Sequence, residues 1–420
     1  MTVRAAVFAS SDTVMVEERV STELEATGIL LRHPRSPVHF LDLDGREAVA
    51  NLWSDRDRIA QALNMDREGL MQAILQALSH PQKARGIDDP PFMYQEWKDF
   101  DLRELPIPRF YPGDGGRYVT SAVAVSQMDG VGNLSFHRMM LLDQRSFGIR
   151  LVPRHLYTMY RTSLERGEDL PVAFCFGVCP SILLAAASSV DYHQDEIEIA
   201  SAIRTMGVGE PVEVANTPSG ITVPAHSEMV MEGRITADTV EEGPFVDITG
   251  TYDRVREQPV VEIDRVYHRD HPLFHIVLPG GLEHFLLMGM PREPVIYRTV
   301  GQAVPRVHAV RLTEGGCCWL HGVVSVSKNK EGDGKNAIMA AFTGHPSMKS
   351  VIVVDADVDV HDDRQVEWAM ATRFQGDRDL VRVEGAAGSS LDPSSPGRTT
   401  KLGFDATKPI GSVEFDRASL

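Results

Sequence analysis

The spacing of apolar residues changes character twice along the chain. From Thr22 to about Arg109, helical and strand periods alternate: TELEATGILLR (22–32) and DREGLMQAILQALSH (66–80) carry apolar residues at helical spacing, and PVHFLDLDG (37–45) reads as a strand and turn. The Pro- and Gly-rich passage ELPIPRFYPGDGGR (104–117) ends this pattern. Beyond it β-type runs dominate: YVTSAVAVSQ, NLSFHRMMLL, SFGIRLV, PVEVAN, SEMVMEGRI, FVDITGTY, PVVEIDRVYH and FHIVLP, separated by Gly, Asp and Pro. Helical segments at HLYTMYRTSLERG and around ILLAAASSV interrupt them. From about Thr299, strand and helix signals alternate again, through KNAIMAAFTGH, KSVIVVDADVDV and DDRQVEWAMATRF.

The pattern predicts three domains of mixed α/β and α+β class: an N-terminal α+β domain over 1–110, a central barrel or sandwich over 111–300, and a C-terminal α/β domain over 301–420. The stretch GSSLDPSSPGRTTKLGFDATKPIG (388–411) has no hydrophobic period and is expected to be an extended arm or loop held by another subunit.

Composition narrows the function. With 43% hydrophobic and 24% charged residues, the 420-residue chain is an ordinary globular sequence. The net charge of −17 repels nucleic acid and anionic lipid, so neither is an expected partner. A small anionic ligand needs only a few local cations. The four cysteines form no CxxC pair and read as reduced, buried thiols. The uncharged run Pro171 to Val190 contains Gly177, Pro180 and several serines, so it reads as strand, turn and helix rather than a membrane span. The N-terminal apolar run is too short for a secretory signal, which makes the cytoplasm the expected location. The acidic run DADVDVHDDRQVE fails as a calcium loop, because its sixth position is Val360 and its twelfth Val366. Phosphate-loop, dinucleotide, HExxH and GxSxG signatures are missing.

Four clusters put polar groups into otherwise apolar segments. In NLSFHR, a strand places Asn133, Ser135 and His137 on one face, and Arg138 could clamp a carboxylate, the alternative being a surface arginine. Arg154 and His155 open a helix, where a histidine could ligate a metal or simply be structural. Glu228 and Glu232 lie in VPAHSEMVMEG, where a carboxylate needs a partner, a metal or water. In LPGGLEH, a Gly-rich turn carries Glu283 and His284 into an apolar run, a place for a general acid or for a capping Glu and a solvated His. Oxygen and imidazole donors without thiolate favour Mn²⁺ or Mg²⁺.

Taken in order, NLSFHR, the helix from His155, PAHSEMVMEG with EEGPFVDITG, LPGGLEH and DADVDVHDDRQVEWAMATR resemble the UbiD family of reversible decarboxylases. The resemblance implies a central flavin-reductase-like split β-barrel between the two terminal domains. It also implies prenylated FMN as cofactor, supplied by a flavin prenyltransferase, and a homo-oligomer, dimer or hexamer. Asn133, His155 and Glu228 would hold Mn²⁺ against the cofactor phosphate, with K⁺ nearby. Asn133, Leu134, Ser135, Phe136, His137, Arg138, Arg154 and His155 would line the cofactor, and Lys349 would reach its phosphate. Arg138 would orient the substrate carboxylate, and Glu283 would deliver the proton, with His284 as rival. The family's EGPFGE run reads EGPFVD here, which puts the contacts of Asp247 in question. The LPGGLEH turn is closest to archaeal-type branches, one of which decarboxylates trans-anhydromevalonate phosphate, so that acid is the leading expected substrate and aromatic or other unsaturated acids the alternatives. A flavin-binding protein without turnover and an FMN oxidoreductase on the split barrel are the competing readings.

Overall fold

The computed structural model describes residues 2–395 and 397–417. The chain forms two compact units, Met1–Leu287 and Met288–Leu420.

In the first unit, a four-stranded sheet runs in the order Val14–Val16, Val38–Leu43, Arg46–Ala50, Phe274–Ile276. Its last strand comes from more than 200 residues later in the chain, so this sheet and the central one are built as one body. The helix Glu25–Arg32 packs on it, and the helix Arg67–Ser79 packs against the helix Glu196–Val208, the first two named lying where their apolar spacing predicts. Asp66 caps the second by accepting from Gly69 N.

The central β layer has nine strands on an open path: Tyr118–Val119, Met139–Leu141, Ser146–Ile149, Arg256–His268, Met229–Glu242, Leu170–Phe176, Val123–Met128 and Val131–Phe136, with Gln95–Glu96 paired beside Arg256–His268. The expected barrel layer is thus present as a sheet that does not close on itself. One continuous core, with Phe40, Phe110, Phe147, Phe174 and Phe176 fully buried, joins it to the first sheet. The two longest strands, Met229–Glu242 and Arg256–His268, pair antiparallel with register shifts after Glu232 and after Ile235. A short hairpin, Phe245–Val246 with Tyr252–Asp253, links their ends.

The helix Glu196–Val208 is absent from the sequence reading, although its signals are present. Asp195 caps its start by accepting from Ile197 N, and Gly209 ends it at φ +85°.

In the second unit, a five-stranded sheet runs Arg306–Leu312, His321–Ser327, Ser350–Asp355, Arg398–Ala406, Leu380–Ala387. The expected arm over 388–411 is corrected here. Its residues Arg398–Ala406 form an inner strand, parallel to Ser350–Asp355. Its alternation was hidden by Lys401 and Asp405, both buried polar residues; the Lys401 ammonium is satisfied by the carbonyls of Pro346 and Met348. The acidic run forms a strand end and a capped helix, as its failure as a calcium loop implies: Asp362 caps Asp363–Arg373, and Asp355 and Asp357 grip the Arg373 guanidinium. The four cysteines are all free thiols, two of them buried. No helix among the described residues is long and apolar enough to cross a membrane.

Candidate active site

The run NLSFHRMMLL splits into two strands, Val131–Phe136 and Met139–Leu141, and the break falls at His137 and Arg138. Before the break, Asn133, Ser135 and His137 share one face as predicted. The Ser135 hydroxyl is 2.9 Å from Asn133 Oδ1 and 3.0 Å from His137 Nε2, and His137 Nδ1 is 2.9 Å from the Arg150 carbonyl. At the break Arg138 leaves the ladder and turns into a nest of acids. Its Nε and Nη2 donate to the two oxygens of Glu242 at 2.9 and 3.0 Å. Nη1 donates to Asp247 at 2.8 Å, and Nη2 also to Asp253 at 3.0 Å. The guanidinium lies 4.6 Å from the centre of the Phe245 ring.

The sequence explains this assembly. Glu242 ends the long strand Met229–Glu242, while Asp247 and Asp253 sit on the hairpin that follows, so one connection delivers three carboxylates to one arginine. Burial works against the Arg138 charge, but Glu242, Asp247 and Asp253 outweigh it and hold the group firmly protonated. The acids are not equivalent. Glu242 is fully buried and held by two bonds, and Asp253 is shared with Arg256. Asp247 is the most exposed, at 18% of its side chain, and has a single bond to the arginine. Arg138 and Arg256 bond to these carboxylates directly, and Arg150 adds a third positive charge nearby.

His284 belongs to this neighbourhood. Its Nδ1 accepts from Gly280 N at 3.2 Å, and burial pushes the imidazole below its ordinary value, with Asp247 and Arg138 the charges that act on it. Gly280, at φ +68°, packs so closely that a Cβ there would lie 3.3 Å from Gly250 Cα and 3.5 Å from the Asp247 carbonyl oxygen.

A second cluster forms around a residue the sequence reading did not single out. Glu196, at the start of its helix, accepts from Leu134 N at 2.9 Å and from Asn133 Nδ2 at 3.3 Å, and its Oε1 is 3.5 Å from His155 Nδ1. Burial pushes its carboxyl up to about 7, against the Leu134 N–H. Carboxamide, imidazole and a buried carboxylate are a donor set that fits a hard or borderline divalent ion. Arg154 lies just before the helix His155–Glu165, exposed, with Nη1 2.8 Å from the Ser189 hydroxyl.

Two acids expected in the site lie apart from the residues they were expected to join. Glu228 is fully buried, but its carboxylate is held by Arg4 at 2.8 Å and Leu273 N at 3.1 Å, with Arg269 at 3.7 Å. Glu196 is the acid that lies beside Asn133 and His155, while Glu228 Oε1 has no hydrogen-bond partner among the described residues. Glu283 is also fully buried, and bonds to Trp53 N and His275 Nε2 rather than to the Arg138 cluster. Arg138 too is more committed than expected, since four of its five N–H groups already serve acids. Lys349 lies in the second unit, with Nζ 2.9 Å from Asp392. Of the acids at the arginine, Asp247 was named in the sequence reading, whereas Glu242, at the other end of the same EGPFVD run, and Asp253 were not.

A buried arginine that organises several acids, next to a metal-type donor set on an open β layer, defines a class of cofactor-assisted acid–base enzyme. Residues 9–78, 85–282 and 285–406 match, in order, the N-terminal, Rift-related and C-terminal domains of 3-octaprenyl-4-hydroxybenzoate carboxy-lyase, and the chain belongs to this UbiD family of carboxy-lyases. It is 45% identical to the anhydromevalonate phosphate decarboxylase of Methanothermobacter thermautotrophicus, over 97% of each chain. Its fold matches the UbiD-class enzyme HmfF from Pelotomaculum thermopropionicum in complex with FMN, with a TM-score of 0.96 and 35% identity over 100% of this chain and 97% of that one. An evolved dimeric form of HmfF in complex with prenylated FMN matches at a TM-score of 0.92 and 32% identity, over 100% and 97%.

Proposed function

We propose that this carboxy-lyase removes carbon dioxide from trans-anhydromevalonate 5-phosphate, giving isopentenyl phosphate, with prenylated FMN as cofactor. The observation that carries the reading is the Arg138 cluster, which keeps all its acids in a chain similar over nearly its whole length to an archaeal anhydromevalonate phosphate decarboxylase. The altered run EGPFVD therefore retains its chemistry, which speaks against a flavin-binding protein without turnover.

Losing carbon dioxide leaves carbanion character that no side chain can absorb, and prenylated FMN when bound supplies that electron sink. Asn133, His155 and Glu196 would hold Mn²⁺ at the cofactor phosphate, with K⁺ nearby, and the segment Asn133 to Arg138 with Arg154 would line the cofactor. The remaining work falls to the chain. Arg138 keeps its charge and fixes Asp247 in direction. Asp247, the most exposed of the three acids, gives a proton to the carbon from which carbon dioxide has left, so that one proton replaces one carboxylate carbon. His284, beside it, returns a proton from the solvent side. The Phe245 ring covers one face of the Arg138 guanidinium. A flavin prenyltransferase would supply the cofactor, and a homo-oligomer, dimer or hexamer, is the expected assembly.

The test is to co-express the chain with a flavin prenyltransferase, identify the released small molecule by mass spectrometry, and assay carbon dioxide release from a panel of unsaturated acids headed by trans-anhydromevalonate phosphate. Prenylated FMN and preferred turnover of that acid are expected. Plain FMN reduced by a nicotinamide, or turnover only of aromatic acids, would sink the proposal.

A further inference from the structure

Glu283 and His275 form a fully buried pair, with His275 Nε2 2.9 Å from Glu283 Oε1. The same oxygen accepts from Trp53 N at 3.1 Å. Three distant segments therefore meet at one carboxylate: the loop after the strand Arg46–Ala50, the strand Phe274–Ile276, and the first turn of the helix Leu282–Gly289. The strand is fixed in turn, because Phe274–Ile276 pairs parallel with Ala48–Ala50 and the His275 carbonyl accepts from Ser121 Oγ at 2.5 Å. Glu283 Oε2 and His275 Nδ1 have no hydrogen-bond partner among the described residues. Each such group costs about 1–3 kcal/mol, which the bonds to Trp53 N and His275 Nε2 offset in part. What the polar pair adds is direction.

That direction has a consumer one residue away. His284 follows Glu283, accepts from Gly280 N, and rides on a turn packed against the loop that carries Asp247. The Tyr111 hydroxyl holds the same turn through the Pro279 carbonyl at 3.0 Å. We propose that Glu283, held by His275 and Trp53, is a positioning residue that sets the helix start so that the His284 ring faces Asp247 and Arg138. Its carboxylate takes no part in proton transfer to substrate. The consequence for turnover rests on the decarboxylase reading above, whereas the geometry of His284 does not.

The experiment compares Glu283→Gln and Glu283→Leu in the cofactor-loaded enzyme, following kcat, KM and the ¹⁵N resonances of the His284 imidazole, with circular dichroism to verify folding. Gln keeps an acceptor for Trp53 N and a polar contact to His275. It is expected to hold kcat within about 5-fold and to leave the His284 resonances in place. Leu is expected to lower kcat by about 50-fold or more, with KM changed far less, and to move the His284 resonances. Should Leu fail to fold, His275→Gln reads the same device, with a smaller shift of the same resonances. Loss of turnover in Glu283→Gln with unmoved His284 resonances would overturn the proposal and make Glu283 itself the proton carrier. Unmoved resonances and unchanged kcat in Glu283→Leu would overturn it as well. If the unsubstituted enzyme turned over no acid, the decarboxylase reading would fail, while the resonances would still decide the positioning role.

Discussion

Arg138 concentrates the chemistry of the molecule in one side chain, and substitutions there separate charge from shape. Lysine keeps the charge but cannot span both oxygens of Glu242 and reach Asp247 as well. Arg138→Lys is expected to lower kcat by about 100-fold or more. Arg138→Ala also removes the guanidinium that pairs with the buried Glu242, a loss of about 3–5 kcal/mol in urea unfolding. Asp247→Asn keeps a hydrogen bond to Arg138 and removes the exchangeable proton. It should cut kcat by about 100-fold at similar KM and abolish exchange of solvent deuterium into product; normal exchange would move the proton to another group. His137 gives a pH test in the cofactor-free chain. Burial pushes its imidazole down to about 4 from 6.5. The unfolded chain therefore takes up the proton first, so the stability from the neutral ring is intact above pH 6.5 and is lost as pH falls from 6.5 towards 4. Unfolding at pH 5 should show about 2 kcal/mol less stability from this residue than at pH 7. His137→Asn should lack that part of the pH dependence.

At the scale of elements, the strands and most helices were legible because their apolar periods are regular: DREGLMQAILQALSH and HLYTMYRTSLERG lie where the helices Arg67–Ser79 and His155–Glu165 form. Elements were missed where burial is polar, as in Arg398–Ala406 with Lys401 and Asp405, or where a charged start masks the period, as in Glu196–Val208. Pairing between distant strands leaves no local period, so the meeting of Glu242, Asp247 and Asp253 at Arg138 could not be read from spacing. That meeting depends on the two long strands keeping their register. At the first register shift, Gly233 passes so close to the backbone of Glu262 that an added methyl group would overlap the Glu262 carbonyl. Gly233→Ala is expected to destabilise the chain by about 2 kcal/mol or more in urea unfolding, and to lower activity by disturbing Glu242 at the far end of the same strand. Gly28→Ala is the contrast. In the helix Glu25–Arg32 a Cβ would meet only the Arg32 guanidinium, at 3.7 Å, so stability should rise by about 0.5–1 kcal/mol.

For the whole molecule, charge and metal chemistry meet in one measurement. The chain carries −17, yet its proposed ligands are anionic, so attraction has to come from local groups rather than the overall field. Asn133, His155 and Glu196 lie on a strand and two helix starts, 63 residues apart from first to last, and only the folded first unit brings them together. The sequence showed two of the three. It offered Glu228 as the third, and the structure sets that acid against Arg4, 224 residues away in the chain. A cation that binds the folded trio and not the unfolded chain stabilises the fold by RT ln(1 + [L]/Kd), about 2.7 kcal/mol at 100 times Kd. Adding Mn²⁺ to metal-stripped protein should therefore raise Tm by a few degrees, and EDTA should reverse it. Glu196→Gln should abolish the metal-dependent shift while leaving the chain folded. Glu228→Gln should lower Tm outright, by weakening the bonds to Arg4 and Leu273 N, yet keep the full shift on adding Mn²⁺. The reverse pattern, a shift lost with Glu228 and kept without Glu196, would return the metal to the acid that the sequence alone suggested.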